Sequence, residues 1–404
     1  MGETAFRAAG YPWRLYCGRA AIEQGLEEAA GRAGAKRAFV VCSPSVNRRT
    51  NTVARIAAAL GERYAGVYDG IEKDSTYASV CAARDAARAA GADLLIAAGG
   101  GSVIVATRAV AIFLAEPGDP FRIMTQYPEG KPAHSPRLLA PKAPILNIPT
   151  TPNSAMNRAG TGLKNPDLDQ RMEYFDPKTR PHSVFLDEEA LMTAPPDLIR
   201  STATTVFAGL VGAMSRTGLN PLAEGDLRHA FRLAYQAYPR LADEIGDPAH
   251  RIALCLAAFL RNRAEDDGIG RMRNDVFSGD YAISTALHVR YPHVGQGEST
   301  SAVHAAKIRL SENTDMESAR RAAEAMEVWR DSMHARDAAL AVADRLEGLY
   351  TRLGMPTRLR QLAIPRADLP AIARETVKNF NANAWARSAG DQIADALRLL
   401  EAAY

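Results

Sequence analysis

Three glycines and a serine, Gly99, Gly100, Gly101 and Ser102, end an apolar run and open a stretch of helical spacing in "ADLLIAAGGGSVIVATRAVAI" (92–112). A glycine-rich turn that feeds a helix presents bare backbone N–H groups at the positive end of the helix dipole. That is chemistry for binding an anion such as phosphate, and glycine keeps a Cβ out of the way. Ser102 adds a hydroxyl. A second stretch, "HVRYPHVGQGE" (288–298), carries His288, Arg290 and His293, with His304 shortly after. Histidine titrates near neutrality and suits proton donation, although each of these rings could equally be a hydrogen-bonded structural residue.

The elements that must position these groups differ between the two halves of the chain. "RAFVVCS" (37–43), "AGVYDGI" (65–71), "DLLIAAGG" (93–100), "APILNIPTT" (143–151) and "SVFLD" (183–187) read as strands. Helical spacing fills the intervals, as in "YASVCAARDAARAAGA" (77–92), which ends at a glycine. Strands alternating with helices predict a parallel sheet covered by helices, an α/β dinucleotide-binding type of domain over 1–190. The Pro- and Gly-rich segment 115–142 reads as a long loop beside the sheet. Beyond residue 190 every long periodic stretch is helical, and "TAPP" (193–196) marks a helix start. Residues 191–404 are therefore expected to form an all-α domain.

Composition excludes several classes. A net charge of +3 gives no electrostatic case for nucleic acid, and no apolar run approaches the ~20 residues of a spanning helix, so no membrane role is expected. Four scattered cysteines without a CxxC pair suit a reducing compartment. With no secretory leader pattern at the start, the expected location is cytoplasmic.

The chain resembles the iron-containing alcohol dehydrogenase superfamily, which also includes metal-free maleylacetate reductases and, more distantly, dehydroquinate synthases. The resemblance rests on "VYDGI", the GGGS stretch, "LNIPTTPNS" and "DPKTRPHSVFLDEEALMTAPPDL". It continues in "LGMPTRLRQLAIPRADLPAIARETV" and "AWARSAGDQIADALRLLEAAY". It implies a nicotinamide dinucleotide, NADP or NAD, on Gly99–Ser102, with Thr150 and Thr151 on the cofactor side and the active-site cleft between the two domains. Within the family pattern GGGSxxDxxK, Val105 replaces the aspartate and Arg108 the lysine, so a positive charge is kept. NAD-preferring relatives have an aspartate near Ser43. Here Ser43 is uncharged and Arg48 and Arg49 follow, which favours tolerance of NADP. In the loop 149–162, Asn157 and Arg158 sit where substrate is reached, and a guanidinium there suits a carboxylate or phosphate.

The resemblance also exposes a loss. The metal-binding members place an Asp and a His four apart on a helix. The matching stretch "TATTVFAGLVGAMSRTGLNP" (202–221) offers Thr205 or Phe207, and Gly209 or Val211, in their places. No bound metal is expected. The alkoxide formed on hydride transfer would then be protonated by His293, His304 or His288, with Arg290 nearby. The expected activity is a metal-independent NAD(P)(H)-dependent reductase or dehydrogenase acting on a small, anionic carbonyl or alcohol. A non-redox lyase or cyclase keeping the dinucleotide, or an inactive binding relative, is the alternative. Relatives are commonly dimers, so the expected partners are a small-molecule substrate and a second copy of the chain.

Overall fold

The computed structural model describes residues 5–128, 131, 133–168, 170–266, 276–377 and 389–404. The opening "AWARS" of the last family-like stretch lies outside them. The chain divides into two compact units, Tyr11–Pro195 and Pro196–Tyr404, the described residues before Tyr11 belonging with the latter.

In the first unit the strands are β1 (Arg14–Gly18), β2 (Ala38–Cys42), β3 (Tyr64–Tyr68), β4 (Leu94–Gly99), β5 (Ile145–Pro149), β6 (Gly160–Leu163), β7 (Met172–Phe175) and β8 (Ser183–Asp187). Between them run α1 (Ala21–Arg32), α2 (Pro44–Arg49), α3 (Thr52–Leu60), α4 (Tyr77–Ala89), α5 (Gly101–Ala115) and α6 (Pro120–Ile123), and α7 (Glu188–Met192) follows. Six strands form a wholly parallel sheet in the order β1-β8-β5-β4-β2-β3, and β6 and β7 form a separate antiparallel pair. The four inner strands, AFVVC, LLIAAG, ILNIP and SVFLD, are buried at every residue, which explains their unbroken apolar character. β1 lies at an edge and mixes exposed with half-buried positions, so its "RLYCG" lacks that signal. The hairpin β6–β7 is also absent from the sequence reading, because four-residue strands such as GTGL carry little pattern.

Among its described residues, the long segment 115–142 carries the single turn α6 and a bridge between Gln126 and His134, and is otherwise irregular. It is tied down at its end by Lys142, whose fully buried Nζ lies 2.6 Å from Glu116 Oε1 and 3.0 Å from Asp176 Oδ2.

The second unit is helical throughout its described residues: α8 (Pro196–Met214), α9 (Pro221–Ala237), α10 (Pro248–Asp266), α11 (Tyr281–Arg290), α12 (Gln296–Leu310), α13 (Met316–Ala325), α14 (Ala335–Arg352), α15 (Leu369–Glu375) and α16 (Ala389–Ala402). The stretch 315–354, periodic from end to end in sequence, is two helices. Glu327 takes a left-handed conformation just past α13 and breaks the run. α8 and α12 meet at glycine: a Cβ on Gly297 would collide with the Ser201 backbone. Among the described residues no helix is long and apolar enough to cross a membrane.

The end of β8 is held by charge. Asp187, fully buried, receives Arg55 Nη1 and Nη2 at 2.8 and 2.9 Å and the backbone N–H groups of Ala190 and Ile22 at 3.0 and 3.3 Å. Burial pulls its pKa upward, but Arg55 and the two N–H groups outweigh that and hold it below the usual range. The resulting stability is present above the unfolded-state pKa of about 3.9 and is lost as pH falls through the lower folded value. Asp187→Asn is therefore expected to cost about 1–3 kcal/mol at pH 7, since Arg55 loses its buried partner but keeps Glu23 Oε1 at 2.5 Å. Urea denaturation of the variant should show a smaller loss between pH 5 and pH 3 than wild type.

Candidate functional site

The strand order contains a reversal. From β2 the chain moves outward to β3, then returns to the other side of β2 as β4 and continues away to β5. In open parallel sheets, ligands bind in the crevice that such a reversal leaves at the carboxyl ends of the strands. Here β2 and β4 bound it, with Cys42 registered against Ala98, and Gly99 against Pro149 of β5. Ser43, Gly99–Ser102 and Thr150–Thr151 consequently lie at neighbouring strand ends.

Gly99 and Gly100 are approached closely, whereas a Cβ at Gly101 would meet only Asn153 Cβ at 3.8 Å, an ordinary contact. Gly99 has φ +159°, and a Cβ there would sit 2.7 Å from Val103 Cγ2. A Cβ on Gly100, which caps the fifteen-residue α5, would lie 3.4 Å from Thr151 Oγ1. That hydroxyl is completely buried and has no hydrogen-bond partner among the described residues. A buried hydroxyl beside unpaired helix N-terminal N–H groups lacks an acceptor, and a phosphate oxygen supplies one. The residues present therefore fit a dinucleotide pyrophosphate. Thr150 donates its N–H to Gly99 O at 3.0 Å and locks the two strand ends together.

Sequence reading missed the loop between β3 and α4. Asp74 N–H donates to Ser102 Oγ at 3.2 Å and Ser75 Oγ to Ser102 O at 2.7 Å. Both residues hold positive φ, 65° and 55°, a strained state for non-glycine residues. Asp69, at the end of β3, was also missed. Its Oδ2 receives Asn47 Nδ2 and Arg48 Nε, each at 3.1 Å, so Arg48 is paired. Ser43 Oγ is 3.1 Å from Ser45 Oγ.

Arg108 does not carry its charge to the phosphate turn. It is 1% exposed, and its two Nη groups donate to the carbonyls of Ala155 and Gly160. Burial first, then the charges of Arg158 and Arg180, lower its pKa to about 9. Thr179 Oγ1 donates to Ala159 O at 3.0 Å and Thr161 Oγ1 to Val105 O at 2.7 Å. The loop bearing Asn157 and Arg158, both half-buried, is thus fastened on both sides.

The titratable residues of the helical unit engage separate partners. His304 is fully buried, with Nε2 2.8 Å from Phe277 O and Nδ1 2.7 Å from Tyr350 Oη. A carbonyl only accepts, so Nε2 carries the proton and Tyr350 donates to Nδ1. Burial lowers the pKa to about 4, so in this conformation His304 is a neutral clamp rather than a proton donor. His288, also buried, donates Nδ1–H to Ser284 O at 2.9 Å. His293 is exposed and donates from Nε2 to Leu362 O at 3.0 Å. Arg290 pairs with Glu375 at 2.5 Å, and Tyr291 Oη donates to Asp368 at 2.6 Å. Three members of this polar stretch therefore fasten it to 362–375.

The resemblance sets the family's metal-ligand positions against Thr205 or Phe207 and Gly209 or Val211 on α8, and Thr205 Oγ1 donates to Ser201 O at 3.4 Å. Phe207 stacks on Tyr238 at 4.5 Å, Val211 is buried, and the guanidinium of Arg261 rests against Gly209, where any Cβ would collide with it. Arg261 Nη2 lies 3.2 Å from Glu265 Oε1. The residues at these positions do not fit a divalent metal. Among the described residues, the one trio of potential ligands is Glu244, Asp247 and His250, at the surface.

Comparison with known proteins follows the same division. A family model described as iron-containing alcohol dehydrogenase matches residues 12–188, and its C-terminal counterpart matches 210–404. The chain is 28% identical over 255 residues to maleylacetate reductase 2 of Cupriavidus pinatubonensis, covering 63% of this chain and 62% of that relative, less than two thirds of its length. It is 26% identical over 352 residues to 4-hydroxybutyrate dehydrogenase of Cupriavidus necator, covering 84% and 85%. The fold is similar to that of the alcohol dehydrogenase from Oenococcus oeni, with TM-score 0.83 at 19% identity over 99% of this chain and 100% of that one.

The state of His304 has a measurable consequence. Its folded pKa of about 4 lies below the ordinary 6.5. The unfolded chain thus binds more protons between these values, and stability rises with pH across the interval. As pH falls from 6.5 to 4, about 3 kcal/mol is expected to be lost. His304→Gln should flatten that limb in urea denaturation at stepped pH.

Proposed function

Because this chain belongs to the iron-containing alcohol dehydrogenase family, we propose that it is a metal-independent, nicotinamide-dependent reductase or dehydrogenase acting on a small carbonyl or alcohol that carries a carboxylate. The observation that carries the reading is the buried, unpaired Thr151 hydroxyl beside the bare Gly100. It places an unsatisfied buried hydroxyl beside the start of α5, at the reversal point of the sheet. Metal independence is supported by the residues of α8, since Phe207, Gly209 and Val211 offer no donor atom. A carboxylate substrate is supported by Arg158 and Asn157 on the fastened loop. Maleylacetate and 4-hydroxybutyrate, named in the two relatives, are both carboxylates.

In this reading the N–H groups from Gly100 to Ser102 and the Thr151 hydroxyl hold the pyrophosphate. Arg158 and Asn157 bind the substrate carboxylate, with Arg108 positioning their loop. Reduction moves a hydride from the nicotinamide to the carbonyl carbon, and the oxygen takes a proton. His288 and His293 are the residues assigned to that proton. In His293, Nε2 donates to a backbone carbonyl, which sets the tautomer and leaves Nδ1 to exchange the proton; His288 Nδ1 donates to Ser284 O. Hydrogen-bond donors replace a Lewis acid in stabilising the alkoxide.

Protein purified without chelators should oxidise NADH or NADPH in the presence of a carbonyl-carboxylate panel, with no change on adding EDTA. Stoichiometric iron or zinc by elemental analysis would overturn the metal-free reading. No shift in melting temperature with either coenzyme would overturn the reading as a whole. Gly100→Ala, which crowds Thr151, should weaken coenzyme binding about tenfold, or about 1.4 kcal/mol.

A further inference from the structure

The adenosine end of a dinucleotide seated at this crevice must cross the ends of β2 and β3. In dinucleotide folds a carboxylate there accepts hydrogen bonds from the ribose hydroxyls and repels a 2′-phosphate, whereas a nearby arginine accommodates that phosphate. The residue directly after β2 is Ser43, which has no charge. The chain past β3 passes over this strand end, with Ile71 N–H donating to Cys42 O at 3.2 Å. That brings Asp69 within 3.1 Å of both Asn47 and Arg48 on α2, the helix that follows Ser43.

We propose that Asp69 selects NAD(H) against NADP(H), and that its ion pair withholds Arg48 from a 2′-phosphate. The inference rests on the nicotinamide-dependent reading above. Both contacts land on Oδ2, and a carboxylate offers about four acceptor positions, so capacity remains for a ribose diol. Asn47, with a smaller contribution from Arg48, keeps the acid below the usual carboxylate range, so it is ionised at neutral pH. The pair is half open to solvent, with Arg48 at 68% exposure and Asp69 at 26%. A pair of that kind holds Arg48 only weakly, and neutralising Asp69 releases the guanidinium. Adjacency in sequence hides this arrangement. Asp69 stands far from Ser43 along the chain and meets it through the parallel pairing of β2 with β3.

The test is titration of the full chain with NADH, NADPH, AMP and adenosine 2′,5′-bisphosphate by calorimetry. Wild type is expected to bind NADH and AMP more tightly than their 2′-phosphorylated counterparts. Asp69→Asn should raise the NADPH:NADH affinity ratio by about tenfold or more, and Asp69→Asn with Arg48→Gln should cancel that gain. Arg48→Gln alone should leave NADH binding within about twofold. A ratio unmoved by Asp69→Asn, in a variant that still binds both coenzymes and melts as wild type does, overturns the inference while sparing the nicotinamide reading. So does a gain that survives the double substitution. If wild type binds none of the four compounds, the nicotinamide reading fails and the inference with it.

Discussion

A helix can hold an anion at its start only while its first N–H groups stay bare, and the surrounding chain has to be built around that emptiness. At the start of α5 this constraint sets Gly99 in a conformation and space that exclude a side chain, and brings Thr151 Oγ1 to the edge of Gly100. It also dictates the neighbours. Because β4 lies between β2 and β5, the turn after β4 is flanked by Ser43 on one side and by Thr150 and Thr151 on the other. The loop before α4 is drawn in as well, with Asp74 and Ser75 held at positive φ by their bonds to Ser102. Strain of that kind persists only where neighbouring contacts over-determine the backbone, and here the contacts converge on Ser102.

Buried charge stiffens the chain wherever it leaves the sheet. Asp187 closes the end of β8 on Arg55. Lys142 joins the end of the irregular segment to Glu116 and Asp176. Arg108 reaches from α5 to two carbonyls of the loop 155–160. An unpaired charge in such places costs several kcal/mol, so each is answered by carboxylates or backbone dipoles. Arg108 differs from the other two in donating to backbone carbonyls. Its pKa is lowered by burial first and then by the neighbouring charges of Arg158 and Arg180.

The fold was largely legible in the sequence because its central strands are buried on both faces and read as unbroken apolar runs. SVFLD coincides with β8 to the residue. Edge strand β1 and the short pair β6–β7 were not legible, since a half-exposed or four-residue strand has too few positions to show a period. The glycine turn before α5 was legible because close backbone approach demands glycine at Gly99, which local sequence reveals. Arg108 was not, because its position three residues past Val105 suggests a helix face near the turn, while its partners, the carbonyls of Ala155 and Gly160, lie some fifty residues away in sequence. Asp69 was missed for the same reason: what it meets is set by strand order, and "VYDGI" alone shows only a strand ending in a turn.

Histidines mark the limit of reading chemistry from residue type. His288, His293 and His304 stand close in sequence and suggest a proton-handling cluster, yet each ring takes its role from whatever faces its nitrogens. Where Nε2 of His304 meets a carbonyl, the proton must reside there. A second proton would place a charge in a dry site and force the Tyr350 hydroxyl to turn, so the ring stays neutral. Anion binding and proton transfer thus differ in kind. Anion binding at α5 is a property of the backbone and tolerates Val105 in place of an acid, because N–H groups do not depend on the side chain beside them. Proton transfer and carbonyl polarisation depend on particular side chains. Side chains on α8 such as Phe207, Gly209 and Val211 can therefore set the chemistry without altering the backbone N–H groups at the start of α5.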